Sequence, residues 1–160
     1  MLRERKSAMN GFTKQYTADG RPGIDAVSFL NAVRPVVVDF LKRNRRIKVQ
    51  LVLVCKMERV SITTDEYIGE DKFFHSNTEV NLEATDINEL YTNAVDKMME
   101  DMAKFQKSGS GWRFVAVQQL DIHTVQYEPL KGSSYIPLPK YLADKKAIIN
   151  PKNEDNQCFK

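Results

Sequence analysis

The sequence predicts an α+β domain in which an antiparallel sheet, built on two long strands, is covered by two helical segments. Two observations predict the strands. Apolar side chains occupy every second position over residues 46–57, and a period of two also runs without Gly or Pro over residues 112–127. A third observation predicts the cover, because apolar residues recur every three to four positions over residues 86–107. A kinked helix near the N-terminus completes the expected architecture.

The N-terminal helix is expected to begin after Asp25, whose carboxylate is a suitable N-cap. The apolar residues that follow have helical spacing: Phe29, Leu30, Val33, Val36, Val37, Phe40 and Leu41. Pro35 lies inside this pattern. Because proline lacks a backbone N–H and its ring crowds the carbonyl four residues earlier, we expect a kink at this point or two short helices.

The strand at residues 46–57 has one fully apolar face, formed by Ile47, Val49, Leu51, Leu53, Cys55 and Met57. Such a face needs a covering layer, which the helices before and after it can supply. We expect this strand to pair in the antiparallel direction with the strand at residues 112–127. Because one helix separates the two strands in the sequence, a parallel pair joined by a crossover is the alternative.

The remaining regular elements are shorter or more weakly patterned. Residues 61–80 are acidic and irregular, so we expect an edge hairpin or a long connection there. Asp86 and Glu89 have the spacing of a capping box, which marks the start of the second helix. Further short strands are expected at residues 63–68, 72–75 and 147–150.

The chain of 160 residues fits one domain. Residues 1–23 have few apolar side chains and three glycines, and are expected to form a mobile N-terminal arm. Residues 24–160 then form a single α+β domain, in which residues 128–160 are an extended tail rich in Pro and Asn. No apolar run reaches the roughly 18 residues of a membrane span, and no secretory signal is visible, so an intracellular location without membrane contact is expected.

The net charge of +3 hides a strong asymmetry along the chain. Residues 1–50 carry eleven Lys and Arg against four Asp and Glu, whereas residues 51–110 carry six against twelve. The basic N-terminal third of the chain could contact the phosphates of a nucleic acid. The candidate nucleic-acid-binding residues are Lys42, Arg43, Arg45, Arg46, Lys48, Lys131 and Lys140. The alternative is that the cations at 42–48 only complement the dipole at a solvated helix C-terminus.

No residue pattern predicts a metal or cofactor site. The chain has two histidines, His75 and His123, and a metal site needs several convergent donors. An enzymatic centre would require the carboxylates at residues 65, 66, 70 and 71 to converge, or an active thiol at Cys158. Cys55, inside an apolar strand, is expected to be a buried structural thiol.

The C-terminal third contains a specific set of motifs. These are GSGW at residues 109–112, PLKGSSYIPLP at 129–139, KAIIN at 146–150 and NEDNQCF at 153–159. Together they resemble a segment near the N-terminus of protein-primed family B DNA polymerases of Maverick/Polinton-type mobile elements. The resemblance covers about residues 105–160, and its motif residues are Gly109, Gly111, Trp112, Pro129, Gly132, Tyr135, Pro137, Pro139, Asn150, Asn153, Asp155, Asn156, Cys158 and Phe159.

The resemblance implies a non-catalytic N-terminal domain of a transposon-encoded DNA polymerase, located in the nucleus. Family B catalytic centres hold two metal ions on acidic residues, and this chain contains neither the Asp-x-Glu nor the Asp-Thr-Asp triplet, so no catalytic residue, metal or cofactor is carried over. The expected partners are DNA, the missing C-terminal catalytic region or another replication protein. Because the sequence stops directly after Cys-Phe, the chain is expected to be a fragment.

Two other functions are compatible with the same residues. Residues 155–159 are similar to the nucleophile motif of ovarian-tumour-type cysteine peptidases, in which a later His serves as the base. No His follows Cys158, so the chain would be a remnant of such a region, cut after the thiol and unable to run the chemistry. The second alternative is a protein-interaction module unrelated to replication, in which the extended IPLP segment contacts another chain.

Overall fold

The computed structural model describes residues 2–9, 11–108 and 111–127, which form six strands and two helices. In chain order these are β1 (Leu2–Ala8), β2 (Thr13–Asp19), α1 (Ala26–Arg43), β3 (Ile47–Val60), β4 (Tyr67–His75), β5 (Glu79–Asn81), α2 (Ile87–Lys107) and β6 (Arg113–Gln126). The predicted α+β class is therefore confirmed. All described residues belong to one compact unit, Met1–Glu128. The strand expected at 147–150 lies outside the described residues.

The six strands form one antiparallel sheet in the order β1-β2-β6-β3-β4, and β5 pairs with the start of β3. The two long strands are neighbours, with Leu53 opposite Leu120 and Val49 opposite Thr124. Their antiparallel pairing is confirmed, and the crossover alternative is wrong. The boundaries differ slightly from the prediction, since β3 continues to Val60 and β6 runs from Arg113 to Gln126.

Both helices pack on the face of the sheet that carries the apolar side chains of β3. Side chains from α1, β3, α2 and β6 fill this core, among them Phe29, Leu30, Leu41, Leu51, Leu53, Tyr91, Met98, Leu120 and Ile122. The Tyr91 hydroxyl donates a hydrogen bond of 2.6 Å to the carbonyl of Leu30, which joins the two helices. Cys55 is fully buried, as predicted, and this burial raises the pKa of its thiol to about 12.

Helix α1 continues through Pro35 as one element from Ala26 to Arg43, so the expectation of two short helices is wrong. The side chains before and after the proline, including Phe29 and Val37, are buried in the same core. Packing of an amphipathic face stabilises a helix more than one backbone hydrogen bond does, which explains the continuity. The bend at Pro35 stays a prediction. The predicted cap is present, because the Asp25 carboxylate accepts a hydrogen bond from the Ser28 N–H at 2.7 Å.

Residues 1–23 were expected to be a mobile arm, and this is wrong for most of them. Strand β2 pairs with β6 from Thr13 opposite Val125 to Asp19 opposite Gln119, and β1 pairs with β2. The apolar signal is weak because only one face of this hairpin is oriented toward the helices. On that face, Tyr16 and Ala18 pack against the core, while Thr17 lies on the other. The remaining domain boundaries stay predictions.

A single strand, β4, replaces the two short strands expected at residues 63–68 and 72–75, and β5 begins at the end of the acidic region. Strand β4 pairs with β3 along its whole length, from His75 opposite Val52 to Tyr67 opposite Val60. Helix α2 has the predicted cap, since the Asp86 carboxylate accepts a hydrogen bond from the Glu89 N–H at 3.2 Å. Within the described part of the chain, neither helix is long and apolar enough to cross a membrane.

Candidate nucleic-acid interface

The basic residues predicted from the sequence lie at one end of the sheet, where α1 finishes and β3 begins. We call this surface the basic end and define it by Lys42, Arg43, Arg45, Arg46 and Lys48. Three backbone hydrogen bonds hold the chain there: Arg46 N–H to Asn81 O at 2.6 Å, Tyr127 N–H to Arg46 O at 2.8 Å and Gln126 N–H to Phe12 O at 2.9 Å. The structure therefore brings all five cations to a common, braced end of the domain.

Arg45 has a structural role at the basic end. Its guanidinium donates hydrogen bonds to the carbonyl oxygens of Leu82, at 2.9 Å, and Thr85, at 3.2 Å. These carbonyls precede the cap of α2, so Arg45 ties the end of α1 to the start of α2. With these donors engaged, Arg45 is a poor candidate for phosphate binding.

Arg43 and Arg46 each lie beside a carboxylate but stay exposed. Arg43 forms an ion pair of 2.9 Å with Asp39 one turn earlier in α1, and both side chains are about two-thirds exposed, at 67% and 64%. Arg46 lies 3.6 Å from Glu83. Exposed pairs of this kind contribute only about 0–1 kcal/mol, so a phosphate group can replace the carboxylate at little cost.

Lys42 and Lys48 form no ion pair with any residue that the structure describes. Lys42 is exposed in the last turn of α1. Lys48 lies half-buried on β3, with its ammonium 5.4 Å from the centre of the Tyr127 ring, and burial lowers the pKa of its side chain. The ring attracts the ammonium through its quadrupole. Proteins that bind single-stranded nucleic acid combine basic side chains with aromatic rings on which bases stack.

Asn81 fixes the shape of the basic end from inside. Its side-chain amide is fully buried and donates hydrogen bonds of 2.9 Å to the carbonyl oxygens of Leu41 and Asn44. Carbonyl oxygens at the C-terminal end of a helix lack donors from a following turn, and Asn81 donates to those of Leu41 in the last turn and of Asn44, the C-cap residue. Its own side-chain oxygen is buried and accepts no hydrogen bond from the described residues.

The face of the sheet opposite the helices was not predicted as a candidate surface. Near the basic end, four neighbouring strands place polar side chains side by side there, because Lys6 pairs with Gln15, Gln15 with His123 and His123 with Gln50. None of the four is buried. In the sequence, this surface is visible only as the polar residues that alternate with apolar ones in β2 and β6. Such residues normally indicate a strand face exposed to solvent and no particular function.

One carboxylate on this face is buried and satisfied. Asp121 accepts hydrogen bonds from the Thr17 hydroxyl at 2.7 Å and from the Gln119 amide at 2.9 Å, and its residue is only 6% exposed. Two donors compensate the cost of burying the charge, so the cluster joins β2 to β6. We assign it a structural role.

The position of His123 on this face predicts a dependence of stability on pH. Burial lowers the pKa of the imidazole below its ordinary value of 6.5, and the charges of His75 and Lys6 act in the same direction, against an opposite effect of Asp121. The unfolded chain therefore binds the proton more tightly, and stability is lost as the pH falls below about 6.5.

We expect the free energy of unfolding to decrease between pH 7 and pH 5 by more in the wild-type protein than in His123→Gln. Urea titrations at the two pH values measure this difference. His75→Gln should keep most of the pH dependence, because His75 is exposed at the end of β4 and its charge is one of the smaller causes that lower the pKa of His123. Equal pH dependence of wild type and His123→Gln would contradict the prediction.

The other predicted residues are not brought to the basic end. The carboxylates considered for an enzymatic centre do not converge, since Glu70 and Asp71 point to opposite faces of β4 and residues 65–66 lie in the preceding turn. Among the described residues, no three His, Cys, Asp or Glu side chains form a group suited to a metal ion. Lys131, Lys140, Cys158, Gly109 and the motif residues from Pro129 onward lie outside the described residues.

Two residues of the C-terminal motifs are described, and both lie at the opposite end of the sheet. Gly111 has a φ of +77°, a left-handed conformation that favours glycine. Trp112 lies between two cations, with Arg59 at 5.2 Å and Lys72 at 4.5 Å from the centre of its ring, and it also packs against Phe105. These contacts give the tryptophan a role in packing the entry to β6.

No protein-family model, curated protein or solved structure matches the chain.

Proposed function

We propose that the chain is a non-catalytic N-terminal domain of a Maverick/Polinton-type, transposon-encoded DNA polymerase, and that its basic end contacts nucleic acid. The observation that carries the nucleic-acid contact is the convergence of five cations from α1, the following loop and β3 at one end of the sheet. The polymerase assignment is supported by the motif resemblance over about residues 105–160.

The five cations differ in their exposure and in their contacts. Lys42 is exposed and unpaired among the described residues, Lys48 lies beside an aromatic ring, and Arg43 is held only by an exposed ion pair. These three are the proposed phosphate contacts. Arg45 positions the loop through its hydrogen bonds to the carbonyl oxygens of Leu82 and Thr85. Arg46 pairs with Glu83 and is also within the surface that would contact phosphate. Lys131 and Lys140 remain candidates that the described residues do not test.

The experiment measures the affinity of the purified chain for labelled single-stranded and duplex 30-mers over a range of salt concentrations. We expect affinity to fall steeply with salt, because cations that neutralise phosphates release counterions. In the variant K42Q/R43Q/K48Q, the slope of log K against log salt should fall by about 0.7–0.9 for each lost contact. A change of two or more in the slope would support all three contacts.

The matched control removes three cations from the far part of α2, in the variant K97Q/K104Q/K107Q. Helix α2 runs away from the basic end, and Lys97 and Lys104 form ion pairs with carboxylates one turn later or earlier in the same helix. This variant changes the net charge by the same amount and should keep the wild-type slope. The proposed contact would be overturned if the wild-type chain did not bind the labelled nucleic acid at low salt. It would also be overturned if both triple variants lost the same amount of affinity.

A further inference from the structure

The end of the sheet opposite the basic end exposes a group of apolar side chains. Of the seven large hydrophobic residues that are exposed in the described part of the chain, five lie there: Val60, Ile62, Tyr67, Phe73 and Val115. We call this surface the hairpin patch. Soluble monomers rarely leave large apolar patches open, and such patches commonly mark interaction sites.

Three residues of the patch, Val60, Tyr67 and Phe73, lie on the face of the sheet that the helices do not cover, and Ile62 lies in the turn before β4. Phe73 pairs with Val54 and Tyr67 pairs with Val60, so the aromatic side chains of β4 stand beside the valines of β3. Phe73 is 57% exposed and Tyr67 62% exposed. The guanidinium of Arg113 lies 5.0 Å from the centre of the Tyr67 ring and forms an ion pair with Glu58, which holds one side of the patch in place.

Strand β4 also forms an edge of the sheet among the described strands. Both edges carry a run of charged residues, Arg3 to Lys6 in β1 and Glu70 to Lys72 in β4, but only β1 also has an irregular register, between Glu4 and Lys6, which hinders pairing with another chain. Strand β4 pairs with β3 through nine consecutive positions without a shift. Its regular outer edge therefore has backbone groups suited to an added strand.

The charge around the patch selects the partner. Residues 60–75 contain four carboxylates and one lysine, and that lysine, Lys72, is paired with Glu70 at 2.9 Å. Asp65, Glu66 and Asp71 form no ion pair with any described residue, although Lys56 of β3 lies opposite Asp71 in the register. Asp71 lies between Tyr67 and Phe73 on the same face of β4 and accepts a hydrogen bond from the Gln118 amide at 3.2 Å. A basic side chain on a strand added outside β4 would approach Asp71 from the side opposite Lys56 of β3, and the carboxylate would attract it.

We propose that β4 binds an extended segment of a partner protein, which adds to the sheet as a further strand. On the face of the patch, the segment presents apolar side chains next to Tyr67 and Phe73 and a Lys or Arg next to Asp71. Main-chain hydrogen bonds supply affinity in this mode of recognition, and alternate side chains supply specificity. Cross-strand pairs of opposite charge and of apolar with aromatic residues stabilise the register.

The test is a selection of random nine-residue peptides, displayed on phage, by the immobilised full-length chain. We expect enrichment of peptides with apolar residues at two positions on one face and Lys or Arg between them. The selected peptide is then synthesised and its affinity measured by fluorescence anisotropy. Phe73→Ser should weaken binding by about tenfold or more, as expected for a central aromatic contact.

Reversing the charge of Asp71 tests the predicted contact with the basic side chain of the peptide more specifically than Phe73→Ser does. Asp71→Lys should weaken binding of the selected peptide and restore it for a peptide in which the central Lys or Arg is replaced with Glu. Val27→Ser is the control, because Val27 is 48% exposed on α1 and far from β4 in the topology. Wild-type affinity is expected for this variant.

Three outcomes would overturn the proposal. The first is a selection that enriches no peptide, and the second is binding that Phe73→Ser and Val27→Ser affect equally. The third is that the patch is occupied by a second copy of this chain. If light scattering shows a dimer of the chain that Phe73→Ser dissociates, the patch binds a second copy and not a separate partner.

Discussion

Replacing Gly20 with alanine is expected to destabilise the protein by about 3 kcal/mol or more, at the upper end of what overpacking costs. A Cβ atom at this position would lie 2.0 Å from the carbonyl oxygen of Val117 and 2.9 Å from that of Gln118. Both atoms belong to the backbone of β6, which cannot move aside as a flexible side chain can. The Gly20 N–H also donates a hydrogen bond of 2.8 Å to Gln118 O, so any shift breaks that contact as well.

Gly69→Ala is the matched control for this prediction. A Cβ atom there would have its nearest contact at 3.5 Å, with the end of the Lys56 side chain. Because alanine has less backbone freedom than glycine in the unfolded chain, we expect Gly69→Ala to be neutral or to stabilise by up to about 1 kcal/mol. Urea denaturation compares the two variants. If Gly20→Ala and Gly69→Ala lowered the free energy of unfolding by similar amounts, Gly20 would not be held closely against β6.

Asn81→Asp is expected to destabilise the protein by about 3–5 kcal/mol at pH 7, as for a buried charge without a partner. The amide of Asn81 donates to two carbonyl oxygens at 2.9 Å, whereas a carboxylate would oppose those oxygens with a negative charge. Burial favours the neutral form, so the pKa of the introduced carboxyl group would be raised in the folded state. The penalty should therefore shrink as the pH falls toward the ordinary carboxyl pKa of about 3.9.

Asn81→Leu separates the effect of charge from that of the lost hydrogen bonds. It removes the side-chain donor from both carbonyls, of which that of Leu41 keeps the Asn44 N–H at 3.3 Å, and it should cost about 1–3 kcal/mol. This cost should be the same at pH 4 and pH 7, since leucine does not titrate. Urea denaturation measures the free energy of unfolding of both variants and of wild type at pH 4 and pH 7. The difference from wild type is then compared for each variant at each pH. A pH-independent loss in Asn81→Asp would contradict the prediction.

The elements with one buried face were predictable from the sequence. Strand β3 and helix α2 each show their own period clearly, and the caps at Asp25 and Asp86 form as expected. Strands β1 and β2 were missed because their side chains are mostly polar, and because β2 pairs with β6 through residues that lie about 100 positions apart in the sequence. A local pattern carries no information about such a partner.

The candidate site was predictable only as a set of charges. The run from Lys42 to Lys48 is visible in the sequence, and the structure brings its members together at one end. The sequence does not show that Arg45 is engaged by carbonyl oxygens 37 and 40 residues away. It also does not show that Asn81 braces the helix end, because a buried asparagine and a solvated one have the same local pattern.

The length of β3 has a consequence for the two proposed surfaces. The strand begins beside the basic end and finishes at the hairpin patch, and it pairs with other strands along its whole course. Lys48 and Lys56, which lies opposite Asp71, are separated by eight residues along β3, which corresponds to about 26 Å at about 3.3 Å per residue. This distance is several times the Debye length of about 8–10 Å in physiological salt. The domain is thus a rigid spacer, which would hold a bound nucleic acid and a bound protein segment at a constant separation while their charges remain screened from each other.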